Sequence, residues 1–126
     1  MNEQQFKQRT KKLALRIIHL VEMLPKTSTA QVIGKQLLRS GTSVGANYRA
    51  ACRAKSTADI LHKLAIVEEE ADETLYWLEL LVEGKIVPED KLKNLITEVD
   101  EIVAMIVSSI KTIRSKQNNS NPKSKI

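Results

Sequence analysis

Over residues 92–113 an apolar side chain recurs every third or fourth position, at Leu92, Leu95, Val99, Ile102, Ile106, Ile110 and Ile113. A β-strand alternates its faces with a period of two, so this spacing fits only a helix with one apolar stripe along its length. Such a stripe needs another element to cover it. The rest of the chain repeats the pattern. Phe6, Thr10, Leu13, Ile17, Leu20 and Leu24 alternate in steps of four and three, as do Ile33, Leu37, Ser40, Val44, Asn47 and Ala51. A third row takes in Ile60, Leu64, Val67, Ala71, Leu75, Leu78 and Val82.

Start and stop signals divide these rows into four helices. Pro25 stops the first; Ser28, with Gln31 three residues on, reads as a capping box for the second; Ser56 with Asp59 opens the third. Gly84 ends it, and Pro88 suits the first position of the fourth. The predicted spans are 3–24, 28–54, 57–83 and 88–114. Short connections make successive helices antiparallel neighbours, so the expected fold is an all-α, up-down-up-down four-helix bundle over residues 1–115. The weak stretch is residues 40–45, which holds two glycines and which propensity alone assigns to a loop. The apolar row keeps its phase across it, and this predicts helix. Ser40, Gly41, Ala46, Ala50 and Ala51 would then let another helix approach closely. An aromatic content of 3% leaves Leu, Ile, Val and Ala to build the core, which also suits helices. Residues 116–126 are polar and basic and are expected to be a disordered tail.

Several kinds of chemistry find no support. Cys52 is the single cysteine, so no internal disulfide forms, and it reads as a small buried filler. Asp59 and His62 have the i, i+3 spacing of bundle di-metal sites, but no second copy of the motif or further core carboxylates accompany them, so no metal or cofactor is expected. Residues 41–45 lack the Gly-Lys-Ser/Thr ending of a phosphate-cradling loop and no strand precedes them. The acid pairs Glu69/Glu73 and Glu70/Asp72 read as a solvated or ion-paired face, and no nucleophile–base arrangement stands out. A non-enzyme is expected. With no signal-like start and no apolar run of membrane length, the expected location is the cytoplasm, away from the membrane.

Charge is segregated by segment. Residues 27–55 carry five basic side chains (Lys35, Arg39, Arg49, Arg53 and Lys55) and no acidic one, whereas residues 56–84 carry eight acids against Lys63 alone. On a helical wheel Lys35, Arg39, Arg49 and Arg53 fall within roughly 80° of one another, opposite the apolar row. The stripe is roughly 27 Å long, enough to follow several phosphates of a nucleic acid. Lys7, Lys11 and Lys12 of the first helix would extend it, as would bases of the tail. No aromatic residue lies among these bases, so backbone contact without sequence reading is the expected mode. The competing account neutralises the stripe with Glu68, Glu69, Glu70, Asp72 and Glu73 of the third helix.

Residues 75–82 are apolar nearly all round the helix, more than one bundle core covers. Such a helix needs a second partner surface, and Leu75, Tyr76, Trp77, Leu80 and Leu81 are the expected interface of a homo-oligomer. The alternative packs Tyr76 and Trp77 against helix ends or loops of the same chain. Asn47, in the apolar row, reads as a satisfied buried amide that sets helix register.

The segments RSGTSVGANYR (residues 39–49) and ETLYWLELL (residues 73–81) resemble the bacterial four helix bundle protein family, which includes proteins encoded in intervening sequences of large-subunit ribosomal RNA genes. The likeness covers roughly residues 5 to 115. It implies an antiparallel bundle that assembles as a ring-like homopentamer, with suspected nucleic-acid binding and no known catalysis. A related branch, the accessory variability determinant of diversity-generating retroelements, works with a reverse transcriptase and RNA; nothing in the chain is diagnostic of that branch. Two functional expectations follow. One is a non-catalytic, oligomeric, basic adaptor for RNA or DNA, and the other is a structural or protein-interaction ring that holds no nucleic acid.

Overall fold

The computed structural model describes residues 1–120, which form four helices: α1 Glu3–Glu22, α2 Ser28–Arg53, α3 Thr57–Glu83 and α4 Glu89–Ser120. Each helix packs on the next in chain order, α4 returns to α1, and among the described residues the diagonal pairs make no close backbone approach. The bundle is all-α, as expected. Its closing seam, α1 against α4, is the weakest of the four.

The caps show which local signals set the boundaries. Asn2 and Gln5 form a capping box on α1, with the Asn2 side chain accepting from the Gln5 amide at 2.8 Å and the Gln5 side chain accepting from the Asn2 amide at 3.1 Å. Thr27, not Ser28, caps α2; its hydroxyl accepts from the Ala30 amide at 3.2 Å, and Ser28 becomes the first helical residue. Ser56 caps α3 as expected, accepting from Asp59. Gly84 ends α3 with right-handed backbone, and the left-handed turn residue is Lys85 at φ 59°. A side chain at position 84 would still clash, because its Cβ would lie 2.8 Å from the Leu80 carbonyl oxygen. α4 continues past the expected end near residue 114 to Ser120. Lys111, Arg114, Lys116 and Gln117 are good helix formers, and no glycine or proline interrupts them. The rest of the expected disordered tail, residues 121–126, lies outside the described residues.

Residues 40–45 are helical, as the phase of the apolar row requires. Their glycines bring α1 and α2 together. A Cβ at Gly41 would sit 2.9 Å from Ile17 Cγ1, one at Gly45 3.3 Å from Thr10 Oγ1, and one at Gly34 3.1 Å from Leu24 Cδ1. α1 therefore lies along a row of three glycines on α2. The other side of α2 faces α3 through a buried polar contact. The Thr74 hydroxyl lies 3.0 Å from that of Ser40 and 2.8 Å from the Glu70 carbonyl, while Ser40 donates to the Leu37 carbonyl at 3.3 Å. Each hydroxyl is thus satisfied in the core.

The buried rows of α1, α2 and α4 follow the expected positions closely, but α3 is rotated. Its buried residues are Leu64, Val67, Ala71, Thr74, Leu78 and Leu81, so Thr74 and Leu81 take the places expected of Leu75 and Val82. Because residues 75–82 of α3 are apolar almost all round, two rows about 100° apart compete there, and the positions of α2 and α4 decide between them. Leu81 is fully buried inside the single chain. It therefore belongs to the core and not to an oligomer interface. Asn47 is half-buried, and its amide donates to the Ser43 carbonyl at 2.9 Å within its own helix, so it sets no register between helices. Cys52 is also only half-buried, and burial, followed by its contact with Glu3, pushes its thiol above the ordinary range.

Candidate functional site

Lys35, Arg39, Arg49 and Arg53 are solvent-exposed on the outer side of α2, and Lys55, also exposed, lies just past its end. The stripe nevertheless splits. Arg39 lies at one edge of its 80° spread and Arg49 at the other, so each leans towards a different neighbouring helix. The Arg39 guanidinium reaches α3, donating to Glu70 at 2.9 Å and to Glu73. Glu70, then Glu73, hold its charge more firmly than usual. Glu73 also accepts from the Trp77 indole at 3.2 Å. Neutralisation by α3 thus takes Arg39 alone. Among the described residues Lys35, Arg49, Arg53 and Lys55 form no ion pair.

Arg49 leans towards α1. There the glycine-mediated contact leaves an open groove of about 410 Å³, shaped by the small residues Ala14, Gly45 and Ala46. Lys7, Lys11 and Arg49 rim it, together with the hydrogen-bonding groups of Gln4, Gln8 and Thr42. Lys7 is shared with Glu3 at 3.3 Å, while Lys11 and Arg49 have no acidic partner among the described residues. Cationic and amide groups around one concavity suit an anion of phosphate size. Lys12, expected on the same face, lines a different groove between α1 and α4, because one residue along a helix is 100° of rotation. Towards the start of α2, Lys35 borders a second shallow hollow with Lys26. The cationic surface therefore runs along α2 and takes in one edge of α1.

A charged cluster that sequence reasoning missed ties α1 to α4. Arg9 grips Glu98 in a two-pronged contact, Nε to Oε2 and Nη2 to Oε1 at 2.7 Å each, and reaches Glu101 at 2.6 Å and the Met105 sulfur at 3.1 Å. Glu98, Glu101 and Met105 share one face of α4 by their i, i+3, i+7 spacing, a signal that means something only once the register of α1 against α4 is known. The Arg9 contact, more than the nearby charges of Arg16 and Lys12, holds the Glu98 carboxyl below its ordinary range, and Glu98 in turn holds the Arg9 charge.

Of the expected interface residues, Leu75, Trp77 and Leu80 are half-buried against the core. Tyr76 alone stands out, 54% exposed, with its ring edge-on to Trp77 at 5.1 Å. Among the described residues no His, Cys, Asp and Glu side chains gather as a metal site, and no helix is long and apolar enough to cross a membrane.

The model of the 23S rRNA-intervening sequence protein family matches residues 2–108, from the cap of α1 into the second half of α4. The chain belongs to this family. It is similar to a solved structure from Bacteroides thetaiotaomicron, a protein of unknown function from the S23 ribosomal protein family. The two share 39% identity over 88% of this chain and 99% of the other, with a TM-score of 0.82. No curated protein matches. The two segments that carry the family resemblance meet across the α2–α3 contact. Gly41 and Gly45 receive α1, Ser40 and Thr74 meet in the core, and Arg39 reaches Glu73. Much of these two segments of the chain is thus spent on helix approach, and Arg49 is the member of them that rims the groove.

Proposed function

We propose that the chain is a non-catalytic, self-associating adaptor of the cytoplasm that binds RNA or DNA through backbone phosphates. The observation that carries this reading is the cationic surface of α2 and the α1/α2 groove, where Lys11, Lys35, Arg49, Arg53 and Lys55 find no acidic partner among the described residues although α3 is rich in acids. Among the described residues only Glu70 and Glu73 of those acids pair with this face, at Arg39. Cations left unpaired on one face attract a polyanion and gain by counterion release, without base readout. Assembly into a ring, the pentamer that the family resemblance implies, would repeat a weak contact around one long strand. A nucleic-acid-processing enzyme such as a reverse transcriptase fits the same adaptor role as a protein partner.

Gel shift at low salt, repeated as salt is raised, tests the proposal. Wild-type protein should bind unrelated sequences alike. Arg49→Ala with Arg53→Ala should weaken all of them and flatten the log–log salt slope by about 1.8, the value for two lost phosphate contacts on duplex DNA. Wild-type protein that retains no nucleic acid at low salt, or a double variant that binds unchanged, favours the second reading. That reading is a protein-interaction ring without nucleic acid, and the engagement of Arg39 by Glu70 and Glu73 supports it.

A further inference from the structure

The α1–α4 seam is closed in one half and open in the other. Arg9 and Glu98 latch it away from the α3–α4 turn, and nearer that turn the helices part around a groove of about 790 Å³. Its walls are apolar, with Leu15, Leu20 and Met23 on one side and Val87, Leu92 and Leu95 on the other. Leu15 is 59% and Met23 72% exposed, a poor arrangement for a groove that faces only water. Its rim is cationic, with Lys12, Arg16 and Lys91. An occupant of matching chemistry is an apolar or aromatic anchor set among acids.

The chain carries such a surface. On α3 the exposed ring of Tyr76 is flanked at i−7, i−4, i+3 and i+7 by Glu69, Asp72, Glu79 and Glu83, all exposed and none in an ion pair among the described residues. α3 lies diagonally across the bundle from α1, so the two surfaces lie apart and one chain cannot join them. They are nevertheless level along its axis. Tyr76 lies seven residues, about 10 Å, before the end of α3, and the groove is built from the last turns of α1 and the first turns of α4, at the same end of the bundle.

We propose that the α1/α4 groove of one copy receives the Tyr76 face of α3 from a second copy, in a head-to-tail contact. This rests on the self-association in the preceding reading and names the surfaces that perform it. The contact joins two different patches of each copy. Where the two bundle axes run parallel, patches level along them meet with no axial step, which is the condition for a closed ring in place of a filament.

Two variants that each spoil one patch decide the matter, since both change exposed positions. Tyr76→Arg places a cation against the cationic rim, and Leu15→Glu with Met23→Glu places acids against the acidic face. Light scattering, with circular dichroism to confirm helix content, should find each variant monomeric when alone. An equimolar mixture should form dimers and nothing larger, because the sound groove of the first variant takes the sound α3 face of the second. If Tyr76→Arg disturbs folding, Tyr76→Ser serves in its place. Either variant assembling like wild type overturns the proposal while leaving self-association intact. So does a mixture that stays monomeric. A wild-type chain that is itself monomeric removes self-association, and this contact with it.

Discussion

Arg9 shows how much one side chain carries in a bundle with an open seam. It and Glu98 are about four-fifths buried, and the pair supplies the principal polar link between α1 and α4. Removing one member of such a pair leaves the other without its partner, so Arg9→Ala should cost about 1.5 to 3 kcal/mol in urea unfolding. The pair also sets an acid limit. Glu98 is held below the ordinary carboxylate value of 4.5 when folded, so in acid the unfolded chain binds the extra proton. The contribution is complete above that value and is lost as pH falls through the lower folded one. Wild-type protein should therefore lose stability on acidification faster than Arg9→Ala, whose curve should be flatter there. None of this was legible in the sequence. Arg9 is one base among several on α1, and only the register between the first and last helices singles it out. The split of Lys11 from Lys12, and of Arg39 from Arg49, was hidden for a related reason: a wheel gives angles on one helix but not the directions of its neighbours.

At the scale of the helix, the phase of an apolar row outweighed local propensity. Residues 40–45 stay helical despite two glycines, because those glycines let α1 approach α2 and the packing gained exceeds the helix propensity lost. Four helices and their approximate bounds were readable for this reason. The reading slipped on α3, where apolar residues on nearly every side leave the period without a unique phase. There Leu81, not Val82, points inward. This separates two neighbours in a testable way. Leu81→Ala should cost about 2 to 5 kcal/mol in thermal or urea unfolding of the folded chain. Tyr76→Ala, compared in the Leu15→Glu, Met23→Glu background where the contact between copies is already lost, should leave that stability nearly unchanged.

Across the whole molecule, charge is arranged by helix face: cations along α2 and one edge of α1, a second set of cations around the α1/α4 groove, and acids on α3. The segmental charge bias in the sequence announced two of these. The groove went unseen because Leu15 and Met23 fall outside the α1 stripe and read as stray surface residues. α1 itself is held unevenly, backed along its length by the glycines of α2 and fixed to α4 chiefly by the Arg9 latch. In native-state hydrogen exchange such a helix should open at lower free energy than α2 or α3, as a cooperative unit. Opening also takes Lys7 and Lys11 away from Arg49, and so dismantles the α1/α2 groove. A polyanion that binds only the closed form should then slow amide exchange throughout α1 in proportion to its concentration above Kd, while amides of α3 exchange as before.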